Sequence, residues 1–172
     1  MNYFRFALIS FCVLIGWGCY NPFFLPIDDQ PYREPTTPEA VIDNLVTSYN
    51  SRDLVGYIDC LDPDSFRFYF DEAEDSIEEI LRENLGLDSL YWGIEEERLS
   101  AQAIFNSVDE LYLDMIYFGG YDPSPDVAIR IYDYRLEIIP SPESKPIRGR
   151  AIFTLHKRGK RWFVYRWHDY TF

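Results

Sequence analysis

The groups in this sequence best suited to proton transfer are His156, His168 and Asp169. A carboxylate or imidazole works near neutrality when apolar walls shift its pKa. His156 sits on a strand face shared with Arg148, Arg150 and Thr154, which reads as polar and solvated. His168 and Asp169 are adjacent, so on a strand they point to opposite faces and form no dyad with each other. His168 is thus the candidate pocket base, and Asp169 a second candidate better suited to tying down the chain end. Two histidines on different strands do not have metal-ligand spacing. Asp71, Glu72, Glu74 and Asp75 lack the glycine and the spacing of a calcium loop and read as a solvated acidic face. Glu95, Glu96 and Glu97 open a helix, where acids favour the positive dipole end. No Gly-rich phosphate loop and no Gly-x-Ser-x-Gly elbow occurs. No metal or cofactor is expected. Trp92, Trp162 and Trp167 read as core or rim residues.

The elements that must position these groups belong to one domain. The chain has 172 residues, 47% hydrophobic and 18% aromatic, enough for a single core without disulfide staples. Net charge is −13. Residues 28–126 hold 25 acidic and 5 basic side chains, and residues 127–172 hold 4 acidic and 10 basic. An acidic N-terminal part can pair with a basic C-terminal sheet inside one fold. Nucleic acid is not an expected partner, since phosphate binding needs a positive face without an acidic neighbour.

The first nineteen residues read as an export signal. Arg5 is followed by an uncharged run over residues 6–18 that ends in Gly16-Trp17-Gly18-Cys19. Thirteen residues are too few to span a bilayer about 30 Å thick, which takes roughly 20. A charged start, a short apolar middle and a small-residue end describe a secretory signal. A buried N-terminal helix is the alternative, but Pro22 and Pro26 break its continuation and the run has no polar face. Residues 1–19 resemble bacterial lipoprotein signals: Gly18 fits the small residue before the cut, and Cys19 the cysteine that receives a diacylglyceryl group. Gly16 departs from that pattern, where leucine is preferred. The resemblance implies a signal over residues 1–18 and a lipid-anchored protein of the bacterial envelope, with a freely secreted chain as the alternative. The mature chain would lose Arg5 and carry one more negative charge. Residues 19–36, with Pro22, Pro26, Pro31 and Pro35, read as a semi-rigid tether. Its acids would be repelled by anionic headgroups. Cys12 would leave with the signal, so Cys60 would remain as a lone thiol, placed in an apolar stretch as a small buried hydrophobe.

A domain over residues 37–172 follows. Thr37-Pro38-Glu39 supplies a cap, a first-turn proline and an early acid. Val41, Leu45, Val46 and Tyr49 then recur at helical spacing, to an end near Asn50. A second short helix from Asp53 stops at Pro63. Phe66, Phe68 and Phe70 alternate as a strand does. Residues 71–84 read as an acidic surface helix. Residues 93–106 form a longer helix with Ile94, Leu99, Ala101, Ile104 and Phe105 facing the core, and Trp92 at its entrance. Four strands close the chain. The first carries Leu111, Leu113, Met115 and Tyr117 and ends at a turn marked by Gly119-Gly120 and Pro123–Pro125. In the second, over residues 127–139, alternation slips between Ile131 and Tyr132, which predicts a β-bulge and a bend there. After a turn at residues 140–146, the last two strands join at Arg158-Gly159-Lys160.

This order, with Thr37-Pro38-Glu39-Ala40-Val41, Tyr49-Asn50-Ser51-Arg52-Asp53 and the ending Gly159-Lys160-Arg161-Trp162-Phe163-Val164 through Trp167-His168-Asp169, resembles the nuclear transport factor 2-like superfamily, which includes the SnoaL-like and ketosteroid-isomerase-like proteins. The resemblance covers residues 37–171. It implies an α+β fold in which a strongly curved antiparallel sheet wraps the helices into a cone with an aromatic-walled pocket. Candidates for that wall are Tyr49, Tyr57, Phe68, Trp92, Phe105, Tyr134 and Trp162. The many aromatics, the few poised titratable groups and the tether point to binding of a small apolar ligand or a partner protein without catalysis. The alternative is proton-transfer chemistry on a small apolar molecule. Pairing of two copies through the sheet face is also implied.

Overall fold

In the computed structural model, residues 32–70, 91–139 and 146–172 are described. The expected signal, most of the tether, Cys19, the acidic helix over residues 71–84 and the turn over residues 140–145 lie outside them.

Helix α1 (Pro38–Ser51) starts where Thr37 Oγ1 accepts the Ala40 amide at 3.2 Å. It buries Val41, Ile42, Leu45 and Tyr49 on one face. Arg52 ends it in the left-handed region, at φ 55°. Asp53 then caps the one-and-a-half-turn helix α2 (Leu54–Asp59) by accepting from the Val55 and Gly56 amides. That helix turns Tyr57 into the core. Residues 32–36, read from sequence as the end of the tether, are tied to the domain instead. The Arg33 amide donates to Asn44 Oδ1 at 2.7 Å and Pro35 O accepts from the Trp162 amide at 2.8 Å.

Helix α3 (Ile94–Ser107) buries Glu97, Ala101 and Phe105. Leu99, expected to face the core, is 58% exposed. The stripe runs through positions 94, 97, 101 and 105, and residue 99 falls two residues, or about 200°, away from it. Glu97 occupies the position that a core apolar residue would take.

Six strands form one open sheet: β1 (Arg67–Tyr69), β2 (Tyr91–Trp92), β3 (Glu110–Ser124), β4 (Val127–Ile139), β5 (Ile147–Arg158) and β6 (Arg161–Thr171), in the spatial order β2-β1-β6-β5-β4-β3. The sheet is mixed rather than wholly antiparallel, because β1 runs parallel to β6. Trp92, at the entrance of α3 as expected, directly before the N-cap Gly93, also ends β2 and sits opposite Phe68. Strand β3 continues through Gly119-Gly120, and the chain reverses at residues 125–126. Gly159, at φ 63°, makes the tight turn into β6, in a backbone region that glycine enters without a Cβ penalty.

The expected bulge in β4 is absent. From Ala128 to Ile138 every second residue faces inward, and β4 pairs with β5 without a shift. The apparent slip arises because the inward position 130 is an arginine, leaving Val127, Ile129 and Ile131 to suggest the wrong face. The bulges lie on other strands. Phe118 is the extra residue of β3 between Tyr117 and Gly119, and Tyr165 the extra residue of β6. The second one matters for the site: it switches the inward set from Trp162 and Val164 to Trp167 and Asp169.

Candidate functional site

A cavity of about 220 Å³ lies among α1, α2, α3 and the inward faces of the sheet. Each element contributes through the periodicities above. The stripe of α1 ends at Tyr49, α2 supplies Tyr57, and α3 supplies Glu97, Ala101 and Ile104. Inward positions of β3 and β4 add Met115, Tyr134 and Leu136. The Tyr165 bulge delivers Trp167 and Asp169 from β6.

One wall is aromatic. Phe68 packs against Trp92 at 5.4 Å, against Trp167 at 5.2 Å and against Phe70 at 5.0 Å between ring centroids. Phe70 and Trp92 meet edge to face at 4.6 Å. Separations and tilts in this range are the favoured ones for rings with a negative face and a positive edge.

Two carboxyl groups face this wall. Glu96, next to Glu97, makes the capping contact at the start of α3: its Oε2 accepts the Gly93 amide at 3.0 Å. Glu97 stands in the same acidic first turn, as expected, but its side chain turns inward. It is buried, and its two oxygens accept separately, Oε1 from the Tyr57 hydroxyl and Oε2 from Trp92 Nε1 at 2.8 Å. Burial holds its carboxyl above the usual range, outweighing the two donors that favour the anion, and the nearby Asp169 charge adds to the rise. Burial, then the Glu97 charge, pushes the Tyr49 and Tyr57 hydroxyls up as well. Asp169 Oδ2 accepts from the Tyr134 hydroxyl at 3.1 Å. Trp167 holds its indole N–H buried with no acceptor among the described residues. No lysine, arginine or histidine lines the cavity among the described residues.

Of the pocket residues expected from sequence, Tyr49, Tyr57, Phe68, Trp92 and Tyr134 line this cavity. Phe105 does not; it supports the wall by packing edge-on to Tyr49 at 5.1 Å. Trp162 is buried elsewhere, near the 32–36 segment. Of the two catalytic candidates, Asp169 faces the cavity and His168 does not. His168 lies against the Tyr69 ring at 4.3 Å on the opposite face of β6. His156 stacks on Tyr165 at 4.0 Å, and burial lowers its pKa. Glu97 was missed by sequence reasoning; the signal for it is an acid standing on the apolar stripe of α3. Cys60 is buried, its thiol pushed up to about 12, chiefly by burial, as an inert structural cysteine should be. Among the described residues no three His, Cys, Asp or Glu side chains gather as metal ligands.

A second, more open depression of about 400 Å³ lies beside α2, between Leu54, Ile58 and Phe163. Its carboxylate, Asp59, is already paired with Arg161 Nη2 at 2.6 Å. The first cavity has the more concentrated chemistry.

No family model matches the sequence, and no curated protein matches it. Solved structures do match. A conserved protein from Planctomyces limnophilus superposes with a TM-score of 0.60 at 11% identity, over 78% of this chain and 94% of that one. A ketosteroid isomerase-like protein from Erwinia carotovora atroseptica gives 0.56 at 14% identity, over 77% and 92%. An NTF-2 like protein of unknown function from Shewanella oneidensis gives 0.56 at 11%, over 75% and 92%. At such identities the likeness carries the fold alone.

Proposed function

We propose that this chain, which has the α+β cone fold of the nuclear transport factor 2-like proteins, binds one small, largely apolar molecule in the cavity between its helices and sheet without transforming it. The supporting observation is the combination of an aromatic wall with a few convergent polar groups, Glu97, Asp169 and the orphan indole N–H of Trp167. Such a lining is the usual chemistry of a small-molecule site. A 150 Å³ apolar cavity admits benzene, so about 220 Å³ suits one ring with a short substituent.

The observation favouring proton transfer instead is the raised carboxyl of Glu97 inside the cavity, on the fold of a ketosteroid isomerase-like neighbour. Against it, both Glu97 oxygens already accept hydrogen bonds, from Tyr57 and Trp92. That makes the group an anchored acceptor rather than a base free to meet a substrate. Binding is the better reading.

We place the domain on the bacterial envelope, held by a lipid on Cys19, on the strength of the signal pattern in residues 1–19. Cys19→Ser is expected to abolish detergent-phase partitioning, and a mutant that still partitions would remove the anchor. For the cavity, the measurement is thermal unfolding of the purified chain with p-cresol, indole and 2-phenylethanol. Ligand at a hundred times its Kd adds about 2.7 kcal/mol, a Tm rise of roughly 5–10 °C for a chain this long. Met115→Trp, which fills the cavity, is expected to cancel the rise. No rise with any of the three would sink the binding reading.

A further inference from the structure

We propose that the outer face of the sheet carries an anion site in which Arg67 of β1 and Arg166 of β6 together hold one phosphate group. This site stands apart from the cavity and from whatever binds there.

Strands β1 and β6 run parallel, with Arg67 opposite Arg166 and Phe68 opposite Trp167. Phe68 and Trp167 line the cavity, so the two arginines point the other way. Paired strands lie about 4.8 Å apart, and like charges set directly opposite each other are destabilising. Acidic residues outnumber basic ones 29 to 16 in this chain, and seven of the described arginines each meet a carboxylate. Two further pairs of arginines stand in register, and each draws in acids. Arg135, opposite Arg148, bonds Glu137, while Arg158 and Arg161 bond Asp62 and Asp59. Arg67 and Arg166 meet no carboxylate among the described residues. The polar neighbours of Arg67 are Tyr69, Tyr91 and Tyr165, and that of Arg166 is Tyr165. An anion from outside would relieve the pair.

Both guanidiniums are held in place before any ligand arrives. Arg67 lies over the Tyr91 ring at 4.7 Å and Arg166 over the Tyr165 ring at 4.8 Å, the stacked arrangement that suits a planar cation. The bulge at Tyr165 sets that ring beside Arg166, whose Nη2 donates to the Tyr165 hydroxyl at 3.2 Å. Arg166 Nε is shielded from water and has no acceptor among the described residues. A donor so placed ordinarily has a partner, and a cation already stripped of part of its water loses less hydration when an anion binds. Two guanidiniums match a phosphate dianion better than a singly charged carboxylate, and their forked donors suit its oxygens. His156 stacks on Tyr165 at the border of the patch, and the acid it feels, Asp62, is held by Arg158 at 2.9 Å. The chain's net charge of −13 opposes anions at long range, but salt screens that field beyond about 8 Å. Two arginines suffice for one phosphate group, not for the run of contacts that nucleic acid needs.

The test titrates glycerol 3-phosphate, acetate and glycerol into the purified full chain at constant ionic strength. The Nε–H resonances of Arg67 and Arg166, assigned by substitution, are followed by nitrogen-edited NMR. Glycerol 3-phosphate is expected to shift both saturably and to bind at least about fivefold more tightly than acetate, and glycerol to shift neither. Arg67→Gln, at an exposed position, and Arg166→Gln are each expected to weaken the phosphate ester at least about fivefold. Arg67→Gln decides alone if Arg166→Gln fails to fold by circular dichroism. Vesicles of phosphatidylglycerol and phosphatidylcholine in equal parts then separate the two sources of such a group. Co-sedimentation that the substitutions reduce assigns the phosphate to a lipid headgroup; co-sedimentation indifferent to them, or none, assigns it to a free phosphate ester. A phosphate ester that moves neither resonance, acetate that binds as tightly, or binding that survives both substitutions would each overturn the site. None of these results bears on the cavity.

Discussion

The hydroxyl of Tyr134 on β4 lies 3.1 Å from Asp169 Oδ2 on β6, and the bond crosses β5 above Gly149, the residue paired with Tyr134 in the sheet. A tyrosine reaches a strand two places away because the intervening position has no side chain. A Cβ at residue 149 would stand 2.5 Å from the Tyr134 hydroxyl and 2.5 Å from the carbonyl oxygen of Tyr170. The tyrosine could swing aside; the backbone carbonyl could not. Gly149→Ala is therefore expected to cost about 1–3 kcal/mol and to disconnect Tyr134 from Asp169. Tyr134→Phe, which loses the bond without the clash, should cost only about 1 kcal/mol. Urea denaturation of the three proteins measures both, and an unshifted midpoint for Gly149→Ala would show that the crossing is loose.

Glu97 makes stability depend on pH in the direction opposite to most carboxylates. Its folded pKa is raised by burial, so the native state holds this proton more tightly than the unfolded chain does. The sign follows from linkage: the contribution is complete below the unfolded value, about 4.3, and is lost as pH rises through the raised folded value. Glu97→Gln removes the loss. The amide oxygen can keep the Trp92 bond while its NH₂ donates to a rotated Tyr57 hydroxyl. The variant should gain stability relative to the parent as pH rises above about 4.3, as read by denaturation midpoints across that rise. A parent–variant difference that is flat with pH would contradict the buried, proton-retaining carboxyl.

Much of this architecture is legible in the residues, and the parts that are not share one cause. Helix α1 announces itself through Thr37, Pro38 and the stripe to Tyr49 because cap, turn chemistry and periodicity are local signals. The Arg158–Arg161 turn is equally local. Glu97 and Arg130 were misread because each is a charged residue on an inward face, and binary patterning assigns charge to solvent. Only a partner remote in sequence reverses that assignment. For Arg130 the partner is Glu39, 91 residues away; for Glu97 it is Tyr57, 40 away. The bulge at Tyr165 is hidden for a related reason. Trp162, Val164 and Trp167 show a change of parity, but Phe163 and Tyr165 are apolar enough to mask where it occurs. That change of parity aims Asp169 at the cavity and His168 away from it. Local pattern thus gives the wall tyrosines and Phe68, while the acids come from tertiary context.

Arg130 should show an asymmetry between removing the cation and removing its partners. Its side chain is 10% exposed, while those of Glu39 and Asp122 are 51% and 59% exposed. Arg130→Met leaves two carboxylates that water can solvate, and the thioether chain replaces the aliphatic stem in the core. The expected cost is below about 1.5 kcal/mol. Glu39→Ala with Asp122→Ala strands a buried guanidinium, for which about 3–5 kcal/mol is expected. Equal costs for the two changes would mean that the guanidinium reaches solvent more readily than its burial implies.

The outer face of β3 leads to the last expectation. Tyr112, Ile116, Phe118 and Tyr121 are large, apolar and exposed on a strand at the sheet's edge, and Arg150 lies over the Phe118 ring at 3.9 Å. Exposed apolar patches of this kind mark association surfaces in soluble domains, and an open edge strand offers unpaired backbone groups beside it. We propose that two copies pair through this face, with Ile116 and Phe118 near its centre. Sedimentation equilibrium of the purified chain should show a dimer with Kd in the micromolar range, about −8 kcal/mol. Ile116→Glu and Phe118→Glu should each weaken it at least about tenfold by placing a desolvated charge in the contact. Neither substitution touches the cavity lining, so the thermal shift given by 2-phenylethanol should stay unchanged. A parent chain that stays monomeric at about 100 μM would remove the pairing proposal.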